Sequence, residues 1–253
     1  MSITRTTDHL AGLAHDLTRL HHHETLVLPN TWDAASARVV EAAGFPAVAT
    51  ASAAISAMLG YADGERTPVD EMFAANSRIA RAVQLPVSMD AESGYGLSPA
   101  ELVDRLLEIG VVGCNLEDTD HRGGGLRDAE QQAEWLSEVR SAADAARVPI
   151  VINARVDVYF ATSDVPEADR IDEAIRRGLL YRSAGADCIY PIGVGDPGTL
   201  EALVAGIGGP LNANSTGSLD LAYLRALGVA RVSYGPRFYR AALEAFATAV
   251  RNL

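Results

Sequence analysis

The segment Pro86-Val-Ser-Met-Asp-Ala-Glu-Ser-Gly-Tyr-Gly96 carries the residues best suited to chemistry. It begins as an apolar strand and ends in two acids, Asp90 and Glu92. Gly94 and Gly96 follow and must break the strand. Side chains alternate across a strand, so positions 90 and 92 are expected on one face. Two carboxylates at the end of a buried strand are costly unless something pairs with them. A hard divalent cation is the natural partner, because Mg²⁺ prefers oxygen ligands and keeps several waters. A solvated acidic turn accounts for the same residues equally well, and only the rest of the chain separates the two readings.

The elements that must position these acids are marked by recurring joints. Gly44, Gly110, Gly185 and Gly228 each stand just before an apolar run, as at the left-handed end of a helix. Pro86, Pro149 and Pro210 open other runs, where proline ends a helix and is tolerated at a strand start. With the opening run TLVLPN, this predicts eight strands, at about 25–30, 47–50, 86–90, 113–118, 150–157, 187–192, 210–214 and 231–235. Helical patterns follow each strand, at 32–43, 68–83, 98–109, 129–146, 171–184, 198–207, 219–227 and 236–253. Thr67 is expected as the N-cap of the second of these, with Pro68 at its first position. Ser98-Pro-Ala-Glu101 reads as a capping box. Strand and helix in strict alternation predict an α/β fold, a (β/α)₈ TIM-type barrel with an extra N-terminal helix at about 7–20. A doubly wound sheet is the runner-up. No linker or low-complexity tract divides the chain, so residues 1–253 are expected to form a single barrel domain.

Composition bounds the rest. A chain of 253 residues, 48% apolar, can bury a large core. No apolar run reaches membrane-spanning length, and Met1 to Asp16 is mixed polar without a secretory leader pattern. Cys114 and Cys188 fall inside predicted strands and read as buried, reduced thiols of a cytoplasmic protein. A net charge of −12 argues against nucleic acid as a partner, and with no spanning run no membrane partner is expected. It also requires a local positive site for any anionic substrate.

A barrel places catalytic groups at the C-terminal ends of its strands. Polar residues gather there. Strand two ends in Thr50-Ala-Ser52, strand three in Asp90 and Glu92, and strand four in Asn115-Leu-Glu117-Asp118. Strand five carries Asn153, Arg155 and Asp157 at period two, and strand seven ends in Asn212 and Asn214. Carboxylates beside Arg155 are able to hold a metal and an anion together. Asp157 reads equally well as a simple partner of an arginine.

The run PNTWDAASARVVEAAGFPAVATASAAISAMLGYADGE, followed by DAESGYG, CNLED and NARVDVY, resembles the isocitrate lyase/phosphoenolpyruvate mutase superfamily from about Leu28 to Phe238. The resemblance implies a Mg²⁺- or Mn²⁺-dependent barrel that makes or breaks C–C or C–P bonds in small α-oxo or 2-hydroxy acids, through an enolate-like species. It implies Asp90 as the direct metal ligand, Glu92 as the second acid and Glu117 as an acid reaching the metal through water. Asp63, in LGYAD, matches the acid of the loop after strand two. Arg155 matches the arginine that grips the substrate. Ala51-Ser52-Ala53 occupies the turn whose amides hold the substrate carboxylate, and Asn214 with Thr216 loosely matches a substrate-side motif. The last helix, at 236–253, is expected to be exchanged between the subunits of a homodimer or homotetramer.

One departure narrows the activity. The resemblance implies a catalytic cysteine after strand four in the isocitrate and methylisocitrate lyases but not in the members that decarboxylate or hydrolyse oxaloacetate or cleave substituted malates, and this chain, with Asp118-Thr-Asp-His-Arg-Gly-Gly-Gly125 there, is similar to the latter. The signature loop of the mutases is absent too. What remains is a glycine-rich lid at 119–128, with His121 as the acid or base and Arg122 beside it. A merely solvated loop is the rival reading. The glycines lack the lysine and spacing of a phosphate loop. His21-His22-His23 reads as a solvated helix end. Three functions stand at this point: a metal-dependent C–C lyase, decarboxylase or hydrolase; a C–P mutase or hydrolase; and a non-catalytic metabolite-binding barrel.

Overall fold

The computed structural model describes residues 6–253; the first five residues of the expected 1–253 domain lie outside it. Among the described residues, nine short strands alternate with helices. In chain order these are α1 (Thr7–Leu20), β1 (Leu26–Leu28), β2 (Asn30–Thr31), α2 (Ala34–Ala42), β3 (Val48–Thr50), α3 (Ser52–Leu59), α4 (Val69–Ala82) and β4 (Val87–Asp90). Then come α5 (Pro99–Glu108), β5 (Gly113–Glu117), α6 (Ala129–Ala145), β6 (Val151–Val156), α7 (Arg170–Ser183) and β7 (Cys188–Pro191). The chain closes with α8 (Pro197–Ile207), β8 (Asn212–Asn214), α9 (Leu221–Leu227), β9 (Arg231–Ser233) and α10 (Arg237–Arg251).

Every strand pairing is parallel, which makes this an α/β fold. The neighbours follow the order of an eight-stranded barrel, but the ladder is in two sheets, β2-β3-β4-β5-β6-β7 and β1-β9-β8. The expected first strand, 25–30, is split at Pro29. Leu26–Leu28 pairs with β9, and Asn30–Thr31 pairs with β3. Proline has no N–H to give the ladder, so the break falls where the residue demands it. The other seam lies between β7 and β8, joined by the single parallel bridge of Ile189 to Leu211.

Local chemistry explains the helix ends. Gly44, Gly110, Gly185 and Gly228 all have φ between +81° and +99°, the region glycine enters at no steric cost. The Ser98 hydroxyl accepts from the Glu101 amide, and the Glu101 carboxylate accepts from the Ser98 amide. Such a cap is worth about 1 kcal/mol. Thr67 departs from its expected role. It donates instead to Ser56 Oγ at 2.7 Å, and Pro68 stands at the N-cap of α4.

The core is apolar from both sides of the strands. β5 and β6 are buried along their whole length, as parallel strands covered on two faces must be. The extra helix α1 closes the strand starts with Leu10, Leu13, Ala14 and Leu17. A Cβ on Gly113 would lie 2.7 Å from the Leu17 side chain, so that glycine lets α1 seat. His21, expected in solvent, is buried below this helix. Its Nδ1 meets the Leu17 carbonyl at 2.8 Å, and burial pushes its pKa down to about 4. No described helix is long and apolar enough to cross a membrane.

Candidate active site

Four strand ends and the loops that follow them converge. Asp90 is the last residue of β4. Its Oδ2 accepts from the Ser52 amide at 3.0 Å and the Ser52 hydroxyl at 2.7 Å, and its Oδ1 accepts from Asn115 Nδ2 at 3.4 Å. Ser52 opens α3, a helix that the sequence pattern does not predict. Asp90 therefore sits at a helix N-terminus, where free amides and the helix dipole favour a negative charge. The same hydroxyl stands 3.3 Å from Asp63 Oδ1. Desolvation and the nearby Asp90 raise the Asp63 pKa.

Glu92 reaches the cluster by a different route from the one alternation predicts. β4 ends at Asp90, and Glu92 has φ +48°, so the backbone has already turned. The Glu92 carboxylate accepts from the Glu65 amide at 2.5 Å and from the Tyr95 hydroxyl. Glu65 in turn accepts from Ser93 Oγ and the Tyr95 amide, at 2.7 and 2.6 Å. These bonds lock the loop after β3 to the loop after β4. Burial, with Glu117, Asp90 and Asp63 adding to it, pushes Glu92 up to about 8.

Glu117, at the end of β5, is buried between His121 and Arg155. His121 Nε2 lies 2.6 Å from its Oε1, and Arg155 Nη1 lies 2.5 Å from its Oε2. His121 Nε2 is also 3.9 Å from Glu92 Oε2. One ligand atom from each of Glu92, Glu117 and His121 falls within 4.8 Å of the other two. The group that converges most tightly thus includes His121, and Asp90 stands beside it, turned toward Ser52. Burial raises Glu117 well above the usual carboxylate range, against the pull of Arg155.

Arg155 projects from β6 and is 8% exposed. Its Nε and Nη2 donate to both oxygens of Asp157, at 2.6 and 2.9 Å. The Phe160 ring lies under the guanidinium, 4.9 Å from its centre. Asp157 is held by further groups. Its amide donates to Asp118 Oδ1 at 2.8 Å, and Asp118 Oδ2 accepts from Arg177 Nη1 and the Tyr181 hydroxyl at 3.0 and 2.8 Å. Sequence reasoning missed Asp118, Arg177 and Tyr181 as supports. Arg177 and Tyr181 lie on α7, about sixty residues from Asp118, and no local pattern links them.

The loop at 119–128 is folded over the site. Thr119 and Leu126 form an antiparallel bridge across it, and Asp120 Oδ1 accepts from the amides of Arg122 and Gly123. The His121 ring packs on Gly64, and the Arg122 guanidinium covers Gly96 so closely that a Cβ there would lie 2.2 Å from Nη2. A cavity of about 300 Å³ remains between these loops, lined by Gly64, Glu65, Arg66, Tyr95, His121 and Arg122. A larger cavity of about 560 Å³ lies at the strand starts beside His21, remote from the acids.

The other expected residues divide. Asn214, at the end of β8, meets the Tyr190 hydroxyl. Thr216 is exposed and bonds with Leu219 in its own turn, away from the acids. Ala51 and Ala53 flank Ser52 at the start of α3.

Known proteins share this fold and much of this sequence. The family model described as phosphoenolpyruvate phosphomutase matches residues 17–253. The chain belongs to the isocitrate lyase/phosphoenolpyruvate mutase superfamily. An uncharacterized protein of Mycobacterium tuberculosis (strain H37Rv) is 35% identical over 94% of this chain and 87% of its own length. A probable 2-methylisocitrate lyase of Corynebacterium glutamicum is 33% identical over 75% of this chain and 62% of its own length. An oxaloacetate decarboxylase of Rhodopseudomonas palustris is 31% identical over 88% of this chain and 78% of its own. Among solved structures, a candidate phosphonomutase of Burkholderia cenocepacia J2315 superposes with a TM-score of 0.89, at 38% identity, over 96% of this chain and all of that one. A 2,3-dimethylmalate lyase superposes with a TM-score of 0.84, at 25% identity, over 95% of this chain and 87% of that one. Superfamily members are thus lyases and mutases of small acids, and in this chain Glu92, Glu117 and His121 form a candidate metal site.

Proposed function

We propose that this protein is a Mg²⁺- or Mn²⁺-dependent carbon–carbon lyase, in the broad sense that includes decarboxylases and hydrolases. Its substrate is a small α-oxo or 2-hydroxy dicarboxylic acid, and the bond breaks through an enolate-like intermediate. The observation that carries this reading is the crowding of Asp63, Asp90, Glu92 and Glu117 around Arg155 and His121. So many buried acids cannot all be ionised together without added positive charge. Their oxygens suit a hard cation, and Glu92, Glu117 and Asp90 are the residues that would hold it, with His121 at its edge. Such a cation supplies Lewis-acid stabilisation of the negative charge that develops on the substrate oxygen.

The chain's own residues do the rest. Asp90 already takes the Ser52 amide, which leaves the Ala53 amide at the open first turn of α3 for a substrate carboxylate. Arg155 is fixed by Asp157 and presents Nη1 toward the same space. The loop at 119–128 excludes water, and His121 is its proton-carrying group. Identity to oxaloacetate decarboxylases and a 2-methylisocitrate lyase supports C–C chemistry. The likeness to the candidate phosphonomutase favours a second reading, a C–P mutase or hydrolase.

The test is direct. The protein is incubated with Mg²⁺ and, in turn, oxaloacetate, 2-methylisocitrate, dimethylmalate and phosphonopyruvate, and loss of substrate is followed. Turnover of a carbon acid is expected. Turnover of phosphonopyruvate alone replaces the first reading with the second, and binding without turnover of any of them leaves a metabolite-binding barrel.

We also propose that the protein assembles as a homodimer or homotetramer in the cytoplasm. α10 buries none of its residues and exposes Phe238, Leu243, Phe246 and Val250. An apolar cavity of about 520 Å³, lined in part by Trp32, Val39, Val40, Ala43 and Phe45, is the surface on which a second copy's α10 would dock.

A further inference from the structure

Arg231 is 1% exposed and is the bulkiest fully buried side chain described. It leaves β9 level with Leu26 and Asn212 and crosses the interior to β4 and β5. There Nη1 donates to Ser88 Oγ at 3.3 Å and Nη2 to Asn115 Oδ1 at 3.2 Å, while Nε finds no acceptor. Both partners are neutral. The other buried arginines hold carboxylates: Arg155 pairs with Glu117 and Asp157, and Arg177 with Asp118 and Glu173. Among the described residues no carboxylate forms an ion pair with Arg231. A buried guanidinium with neutral partners is costly, and an apolar side chain of like volume would pack as well or better. Stability does not account for this residue.

Its contacts do. Asn115 stands in register with Asp90 on β4 and with Asn153 on β6. Its Oδ1 accepts from Asn153 Nδ2 at 2.8 Å as well as from Arg231. An amide whose oxygen takes two donors has its NH₂ end fixed by elimination. That end faces Asp90 Oδ1. The other carboxylate oxygen is fixed by Ser52. Arg231 is therefore the deepest link of a chain of bonds that ends on an acid of the site.

We propose that Arg231 is a positioning residue: it locks the Asn115 amide and, through it, sets the orientation of the Asp90 carboxylate. This rests on the reading that Asp90 belongs to a cation-binding cluster. Outer partners of this kind alter metal affinity by roughly 10- to 100-fold.

The test uses Arg231→Met, Arg231→Lys, Asn115→Leu and the double variant Arg231→Met/Asn115→Leu. Each is melted without metal and titrated with Mn²⁺ by calorimetry. Arg231→Met is expected to melt no lower than the parent and to bind Mn²⁺ roughly tenfold more weakly. Asn115→Leu should weaken Mn²⁺ binding to a similar degree, though it should melt lower because it strips the acceptor from buried Arg231 and Asn153, and the double variant should bind no more weakly than either, because both cut one chain. Arg231→Lys should recover part of the loss, since it restores a donor without the fork. Additive losses overturn the proposal. So does tighter Mn²⁺ binding in Arg231→Met, the sign that removal of a repelling charge alone would give. If the parent binds no Mn²⁺, the cation reading fails, and a metal-free crystal structure of Arg231→Met (or of the Lys variant, should Met not fold) decides the relay. An Asn115 amide turned away from Asp90 supports it, and an unmoved amide overturns it.

Discussion

Arg155 and Asp157 stand two residues apart on one face of the chain at the end of β6 and are joined by two hydrogen bonds, at 2.6 and 2.9 Å. The pair consumes two of the three nitrogens of the guanidinium and leaves Nη1 directed at Glu117. The fork is thus oriented before any ligand arrives, and a carboxylate meets a preset group. Lysine offers a point charge and no fork. Arg155→Lys should therefore weaken oxalate binding by about tenfold or more, while circular dichroism shows an unchanged fold. Oxalate binding at parental strength would make Arg155 structural. Asp157→Asn removes one partner of a buried pair and should cost about 3–5 kcal/mol of stability, read from denaturant melts.

Asp90 is the one acid of the cluster with three donors on its carboxylate. It faces the start of α3, where an alanine in its place would leave the Ser52 amide without its acceptor. Asp90→Ala should abolish Mg²⁺-dependent oxalate binding, as measured by calorimetry with and without chelator. Metal affinity equal to the parent's would move the metal site to Glu92, Glu117 and His121 alone.

Stability should depend on pH in a way that metal removes. Glu92 is 2% exposed and its pKa stands near 8, against an ordinary value of 4.5, chiefly because it is buried. A raised acid keeps its proton longer in the folded protein than in the unfolded chain. Between these two values the folded state binds more protons, so unfolding free energy falls as pH rises. The contribution is intact below about 4.5 and lost above about 8. It amounts to several kcal/mol, since each tenfold change in proton affinity is worth roughly 1.4 kcal/mol. Metal-free protein should melt lower at pH 8 than at pH 5, and excess Mg²⁺ should close most of that gap. A metal-free melting temperature that is flat or rises over this window would contradict the burial of a protonated Glu92.

The strand ends were legible because glycine and proline mark them chemically. Gly44, Gly110, Gly185 and Gly228 all adopt the left-handed backbone that only glycine takes freely, and Glu117 and Asp90 close the strands that Gly110 and Pro86 announce. α3 was not legible. Its sequence SAAISAML is apolar around most of its circumference, so no periodic stripe separates it from a loop or a strand. Glu92 joined the cluster although its backbone had left the strand, because the bonds from Glu65 and Tyr95 pull its carboxylate back. The deeper supports were invisible for a simpler reason. Arg231 reaches Ser88 and Asn115 from 143 and 116 residues away, and no window on a sequence spans that.

α10 predicts an assembly. A helix of 15 residues with no buried side chain and several exposed apolar ones is unstable against water unless something covers it. Phe246, near the middle of its exposed stripe, is 68% exposed. Phe246→Glu should shift the protein from oligomer to monomer in light scattering coupled to size exclusion, with each monomer still folded. A parent protein that runs as a monomer at micromolar concentration would remove α10 from any interface.

His121 decides whether the loop over the site is chemical or only a cover. Its Nε2 is bound to Glu117 at 2.6 Å, which orients the ring, while Nδ1 lies where a side chain on Gly64 would stand. An imidazole and a carboxyl group in hydrogen-bond contact can pass one proton between them, as general acid–base catalysis requires. The same position suits a third ligand to a cation shared with Glu92. The two roles part in His121→Ala. Loss of the proton carrier should lower kcat on the order of a hundredfold or more, with oxalate and Mn²⁺ affinities close to those of the parent. Loss of a ligand should lower Mn²⁺ affinity first, with kcat restored at saturating metal. Full activity across the pH profile, with unchanged metal affinity, would take His121 out of the mechanism and leave the loop at 119–128 to exclude water alone.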